Sequence, residues 1–280
     1  MIANAPQTEG CPASVMALVP FVLIAFGLAW GILALYLFLP EPMAALFGQL
    51  SGQHPLFFLA VYAPAIAAII TVAFVAGTAG LRRFLARLLL WRGSLGWYAF
   101  ILLGVPLLFY ASAAAQGFPL APPTPFASVF ALISALFFMA IKGPVEEIGW
   151  RGLALPLLQR KVAPIWAGLI LGVIWGVWHL PAFVLSGMPQ SEWSFTAFFL
   201  GAVAISVIVT PMFNQSRGSI LVPALFHFQL INPIWPDAQP YDTVLFVAAA
   251  TAVVWIHRKA MFNGKTAVTE VIPARCGLRL

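Results

Sequence analysis

Two adjacent acids, Glu146 and Glu147, close a long apolar run in "FASVFALISALFFMAIKGPVEEIGWRG". A carboxylate in or beside a bilayer core is costly, and ionisable groups in such places mark function by default. On a helix, neighbouring residues point about 100° apart, so the two acids face different ways. Glu147 stands four residues before Arg151, the favourable order for an ion pair one turn apart, and the pair satisfies both charges where water is scarce. Glu146 has no such partner in its local sequence. A partly desolvated carboxylate without a counter-charge suits a general base. Glu146 is therefore expected to do chemistry and Glu147 to hold the frame. Pro144, two residues before Glu146, removes a helical hydrogen bond and predicts a kink that lets water in.

Histidine supplies the second half of the pattern. His54 falls in a predicted loop, and His257 ends the last apolar stretch beside Arg258 and Lys259; both read as ordinary. His179, in "GVIWGVWHLPAF", and His227, in "LVPALFHFQLIN", lie within apolar stretches. Two histidines in separate segments plus a free glutamate form a constellation that could activate water. A zinc version would use Glu146, His179 and His227 as three ligands with water as the fourth. Since Glu147 is assigned to Arg151, that version lacks a separate base, and the reading without a cofactor is preferred. A transporter could use the same groups as a proton relay, but the paired, interrupted halves typical of that class are absent. H-E-x-x-H, G-x-S-G and G-x-G-D motifs are also absent.

These residues need helices to place them. The 280 residues are 62% hydrophobic and 8% charged, far below the roughly 25% charge of soluble domains. Strand-like alternation is missing, which points to an all-α integral membrane protein rather than a barrel. Eight transmembrane helices are predicted, near 14–38, 56–78, 96–116, 126–147, 164–186, 195–212, 219–235 and 241–257. "AGLRRFLARLLLWRGSL" and "LALPLLQRKVAP" are expected to lie in the interface as amphipathic pieces. Gly168, Gly172 and Gly176 recur every four residues, the mark of close helix packing, and Trp175 and Trp178 read as packing or interface anchors. The chain, 1–280, reads as a single polytopic domain without internal repeats.

The eight-span arrangement puts every Lys and Arg on one face, including Lys142, Arg151 and Arg217, while the opposite loops carry Glu41, Glu192, Asp237 and Asp242. The positive-inside rule then predicts a cell-membrane protein with both termini cytoplasmic. The net charge of +6 is topological, so membrane lipid is an expected partner and nucleic acid is not. The N-terminus has no basic region like that of a signal peptide, so the first helix is expected to be retained. Cys11 and Cys276 are both placed on the cytoplasmic side, where a disulfide is not expected. Four residues follow Cys276, one more than a prenylation box has, so the chain is not expected to be a prenyl substrate itself.

"EEIGWR", "WGVWH" and the His227 segment resemble the CPBP, or ABI, family of intramembrane proteases, which includes the type II CAAX prenyl endopeptidases. That family's pattern is E-E-x-x-x-R, then F-x-x-x-H, then H-x-x-x-N, and residues 126–235 follow it in order and spacing. The resemblance implies an endopeptidase acting on a peptide or protein substrate, prenylated ones included. It assigns Glu146 and His179 to water activation, and His227 with a nearby Asn to holding the oxyanion. Two positions depart from the pattern. Trp175 stands where the family has Phe, and Ile231 holds the Asn place, with Asn232 one residue further on. Pro233 follows, so Asn232 is expected to leave helical geometry and turn toward the site.

Overall fold

The computed structural model describes residues 13–122, 126–185 and 188–273, and the regular structure among them is helical throughout. In chain order the helices are α1 (Leu18–Phe38), α2 (Pro40–Phe47), α3 (Pro55–Val61), α4 (Ala63–Leu85), α5 (Leu95–Ala99), α6 (Val105–Gln116), α7 (Val129–Lys142), α8 (Glu146–Gly149), α9 (Leu155–Gln159), α10 (Pro164–Trp178), α11 (Leu180–Val184), α12 (Phe195–Gln215), α13 (Leu221–Leu230), α14 (Asp242–Ile256) and α15 (Arg258–Met261). Hydroxyls cap key starts: Ser128 Oγ accepts the Ala131 N–H ahead of α7, and Ser194 Oγ accepts that of Ala197 ahead of α12. Gly117 ends α6 in the left-handed region, at φ 70°, where a side chain would be strained.

Six stretches among the described residues are long and apolar enough to cross a membrane: Val15–Phe38, Ala63–Leu89, Leu95–Gln116, Val129–Gln159, Pro164–Val184 and Phe195–Gln215. They correspond to the first six predicted spans. The last two are shorter, with 10 residues in α13 and 15 in α14. At 1.5 Å per residue these reach only about 15 and 22 Å, against a hydrocarbon core of about 30 Å.

The glycine ladder works as predicted. A Cβ on Gly172 would stand 2.7 Å from Val203 Cα, and one on Gly168 2.6 Å from Thr210 Oγ1. Both partners lie on α12, so α10 and α12 approach at backbone distance. That contact fixes the helix carrying Trp175 and His179.

The two predicted interfacial pieces differ from expectation. Gly77, at φ 61°, interrupts α4, and the basic segment beyond it is amphipathic as read, with Arg82 exposed and Phe84 buried. Arg87, however, sits on the buried face at 1% exposure. It donates to the carbonyls of Gly218, Gly152 and Val271 at 2.7, 2.7 and 2.8 Å and lies near the Phe84 and Phe213 rings. The second piece, "LALPLLQRKVAP", is interior: Leu153, Leu155, Leu157 and Gln159 are buried among the helices. Leucine spacing cannot separate a lipid-facing stripe from a protein-facing one, because both exclude water.

Arg160 and Gln159 bind the first and last described segments to this side. Arg160 donates to Thr269 O at 2.7 Å and to Ala13 O, and Gln159 donates to Val268 O at 2.8 Å. Lys142 departs from the predicted one-sided distribution. Its Nζ donates to Gly52 O at 2.9 Å, in the loop assigned to the other face. His54 caps α3 by accepting the Leu56 N–H, and His257 bonds Gln215 and stacks on Trp97, so both are ordinary as read. Cys11 and Cys276 lie outside the described residues.

Candidate active site

The acidic pair sits at a break. α7 stops at Lys142, α8 starts at Glu146, and Gly143, Pro144 and Val145 turn between them. The N–H groups of Glu146, Glu147 and Ile148 donate three residues back, at 3.0, 3.2 and 3.2 Å, the tighter pattern that a proline in the chain imposes. The predicted kink is therefore present. Gly143 has no room for a side chain, because a Cβ would meet Ile231 Cδ1 at 2.5 Å and His227 Nε2 at 2.9 Å. The break is thus where α13 reaches α8.

Both glutamates are buried, at 4% and 1% exposure, and they have different partners as the helix geometry requires. Glu147 Oε1 accepts from Arg151 at 3.0 Å, the predicted pair. The same oxygen accepts from His227 Nδ1 at 2.7 Å. His227 therefore belongs to Glu147 by hydrogen bonding, a link absent from the sequence reading. A carboxylate only accepts, so Nδ1 carries the proton and the ring is fixed in one orientation, with Nε2 pointed at Gly143.

Glu146 is held by Trp175, whose indole Nε1–H donates to Glu146 Oε2 at 2.8 Å. Trp175 is 4% exposed. Its ring lies 5.2 Å from that of His179, 5.6 Å from that of His227 and 5.0 Å from the Arg151 guanidinium carbon. One indole thus touches every member of the predicted constellation. The packing role assigned from the sequence is present, but the hydrogen bond to Glu146 is additional. The available signal was its spacing, four residues before His179 and so on the same face of α10. The family's Phe at this place could not donate. Trp175→Phe is expected to keep the fold and lower the rate of any Glu146-dependent turnover by about 10-fold, on the scale of one buried hydrogen bond to a charged group. Steady-state assays on purified protein would measure it.

His179 Nδ1 lies 2.7 Å from Trp175 O. A carbonyl only accepts, so Nδ1 donates and Nε2 of the neutral ring keeps its lone pair. The ring packs edge-on against Trp178 and Phe198, at 4.9 Å from each.

Asn232 is not part of this group. Its Nδ2 donates to Gln229 Oε1 at 2.9 Å and its Oδ1 accepts the Ile234 N–H at 3.1 Å. α13 ends at Leu230, and the residue before Pro233 leaves helical geometry as predicted. It turns into its own loop instead of toward Glu146. Ile231 is the residue that points at Gly143 beside His227 Nε2. Among the described residues, no three His, Cys, Asp or Glu side chains converge as ligands of a metal ion. His179 and His227 each use Nδ1 on a protein oxygen, and Glu146 uses Oε2 on Trp175.

Residues 125–231 match the family model described as Type II CAAX prenyl endopeptidase Rce1-like. Over this stretch the chain is similar to the CPBP/CAAX proteases. The match begins just before α7, includes both glutamates, His179 and His227, and ends on Ile231. The chain is also similar to CAAX prenyl protease 2 of Methanococcus maripaludis, 29% identical over 143 residues, covering 47% of this chain and 52% of the relative. The chain thus spans about half the length of the curated relative it matches. In CPBP/CAAX terms, the departure at 231 places an apolar side chain where the family motif has an amide.

Proposed function

We propose that this chain is an intramembrane endopeptidase that cleaves a peptide bond with water activated by Glu146 and His179. The observation that carries the reading is the Trp175 clamp on Glu146 Oε2, which leaves Oε1 as the open face of a buried carboxylate. Glu146 takes a proton from water as it attacks the scissile carbonyl, and the open Nε2 of His179 accepts from the same water. His227, held through Nδ1 by Glu147, presents Nε2 and donates to the oxyanion when the ring carries both protons. The proton then passes to the leaving amine. No step needs Asn232, and none is routed through a metal. The substrate is a peptide or protein reached from the bilayer, with prenylated chains among the class.

A second reading is favoured by Ile231. An apolar residue beside His227 Nε2 removes one oxyanion donor of the family motif, as a catalytically silent scaffold or immunity protein would. Cleavage of an internally quenched peptide by purified protein in vesicles separates the two, and the enzyme reading expects fluorescence to rise. Overnight dialysis against a strong chelator should leave that rate and the melting temperature unchanged. Loss on chelation with recovery on zinc would restore the three-ligand arrangement.

Both termini are proposed to face the cytoplasm, because Arg87 and Arg160 join the first and last described segments to the basic loops. Reporter fusions at Gln53, Gln190 and Ala238 are expected on the outer side, and a cytoplasmic signal at any of them would break the eight-span arrangement.

A further inference from the structure

One face of α12 forms a groove that the proposed hydrolysis leaves without a role. α12 packs against both α10 and α14, and α15 reaches back to α10. A cavity of about 560 Å³ opens among these four helices, inside the range for small-ligand sites, about 300–1,000 Å³. Small side chains make the space: Ala204 on α12 and Ala250 on α14 are buried against it, while the larger Leu200 and Val247 stand exposed along it. The lining follows α14 from Val247 to Trp255, about 12 Å at 1.5 Å per residue. That is most of the hydrocarbon depth of one leaflet, about 15 Å. Its lining shares no residue with the Glu146 site.

One end of the groove is charged. Among the described residues that line it, Arg258 is the one ionisable side chain, and it sits where α14 gives way to α15. Trp255, exposed beside it, is the kind of residue that marks a membrane–water boundary. The Arg258 guanidinium carbon lies 5.0 Å from the centre of the Trp255 ring, and Nη1 donates to Trp255 O at 3.1 Å. Those contacts hold the guanidinium at the mouth of the groove while using one of its five N–H donors. Lys259 follows in the chain, and neither cation joins an ion pair among the described residues.

A leaflet-deep apolar groove with an unpaired cation at its mouth has the outline of a lipid. An acyl tail fills the apolar length without needing a polar partner, and a guanidinium fork meets two phosphate oxygens at once. A zwitterionic headgroup brings an ammonium as well as a phosphate, and no carboxylate in the described lining can meet it. An anionic headgroup brings net negative charge to Arg258 and Lys259. We infer that this groove binds one anionic phospholipid, with an acyl tail along α12 between α10 and α14 and the phosphate on Arg258. The bound lipid braces α10, the helix that carries Trp175 and His179, against α14. The inference stands apart from the hydrolytic reading and does not need it.

The test is native mass spectrometry of the full chain, delipidated in detergent and titrated with phosphatidylglycerol or with phosphatidylcholine carrying the same tails. Phosphatidylglycerol is expected to bind about 10-fold more tightly, the scale of one hydrogen bond to a charged group. Arg258 is exposed, so Arg258→Gln should keep the fold and remove most of that preference by weakening phosphatidylglycerol alone. Arg258→Lys should retain part of it. Thr251 lines the groove from an exposed position, so Thr251→Trp should fill the tail's place and weaken both lipids. Glycerophosphoglycerol, the headgroup without tails, should not compete. Equal binding of the two lipids would overturn the inference, as would an unchanged preference in Arg258→Gln or unchanged binding in Thr251→Trp. Competition by the tail-less headgroup would also overturn it and leave only a phosphate site. A dimer that excludes lipid and is broken by Thr251→Trp would overturn it too, making the groove an interface between two copies of this chain.

Discussion

Glu146→Gln is expected to lower peptide cleavage by about 100-fold or more while the protein stays folded, the usual scale for losing a positioned general base. Gln has nearly the same shape, and its amide oxygen can still accept from Trp175 Nε1, which now donates to Oε2 at 2.8 Å. The packing of α8 against α10 is therefore kept. An amide cannot take a proton from water, so the loss should appear in kcat. Melting temperature measured on the same preparation separates chemistry from folding. An active Glu146→Gln protein, or one whose main defect is yield, would remove Glu146 from the reaction.

Glu147→Ala should cost both stability and rate. Arg151 is 1% exposed, and its counter-charge is Glu147, so the variant leaves a buried guanidinium uncompensated. Breaking such a pair costs about 3–5 kcal/mol. Arg151→Gln should cost a similar amount, and the double variant less than the sum of the two. The sequence shows Glu147 and Arg151 only as one ion pair, which would give the two substitutions one effect. The structure separates them, because Glu147 Oε1 also accepts from His227 Nδ1 at 2.7 Å. Glu147→Ala removes that acceptor and frees the His227 ring, so the folded protein should turn over roughly 10- to 100-fold more slowly, a typical range for a lost positioning contact. Arg151→Gln leaves that hydrogen bond in place, so its folded fraction should keep most of its kcat. Equal kcat in the two folded variants would reduce Glu147 to a structural role.

The sequence exposed the parts of the site that follow from spacing. Glu147 and Arg151 are one turn apart on a single helix, so their pairing is local and legible. Pro144 interrupts a helix wherever it falls. The small residues at 168, 172 and 176 reveal a close contact without naming its partner, α12. What stayed hidden depends on how separate helices approach one another. The Glu147–His227 bond joins positions 80 residues apart, and the Trp175–Glu146 bond joins positions 29 apart. Lys142 illustrates a third kind of difference. Its place in the chain suggested one membrane face, and its side chain reaches a loop assigned to the other. Asn232 failed for a local reason: the turn before Pro233 was anticipated, but the nearest acceptor and donor on that turn, Gln229 and Ile234, capture the amide.

The central claim is that this chain hydrolyses a peptide bond at Glu146. Mass spectrometry of one synthetic peptide incubated with purified chain in vesicles tests it most directly, with the Glu146→Gln protein in parallel. The account predicts two fragments from the unmodified chain, whose masses sum to that of the peptide plus one water, and intact peptide from the variant. Intact peptide with the unmodified chain, or the same fragments at the same rate from both proteins, would contradict it.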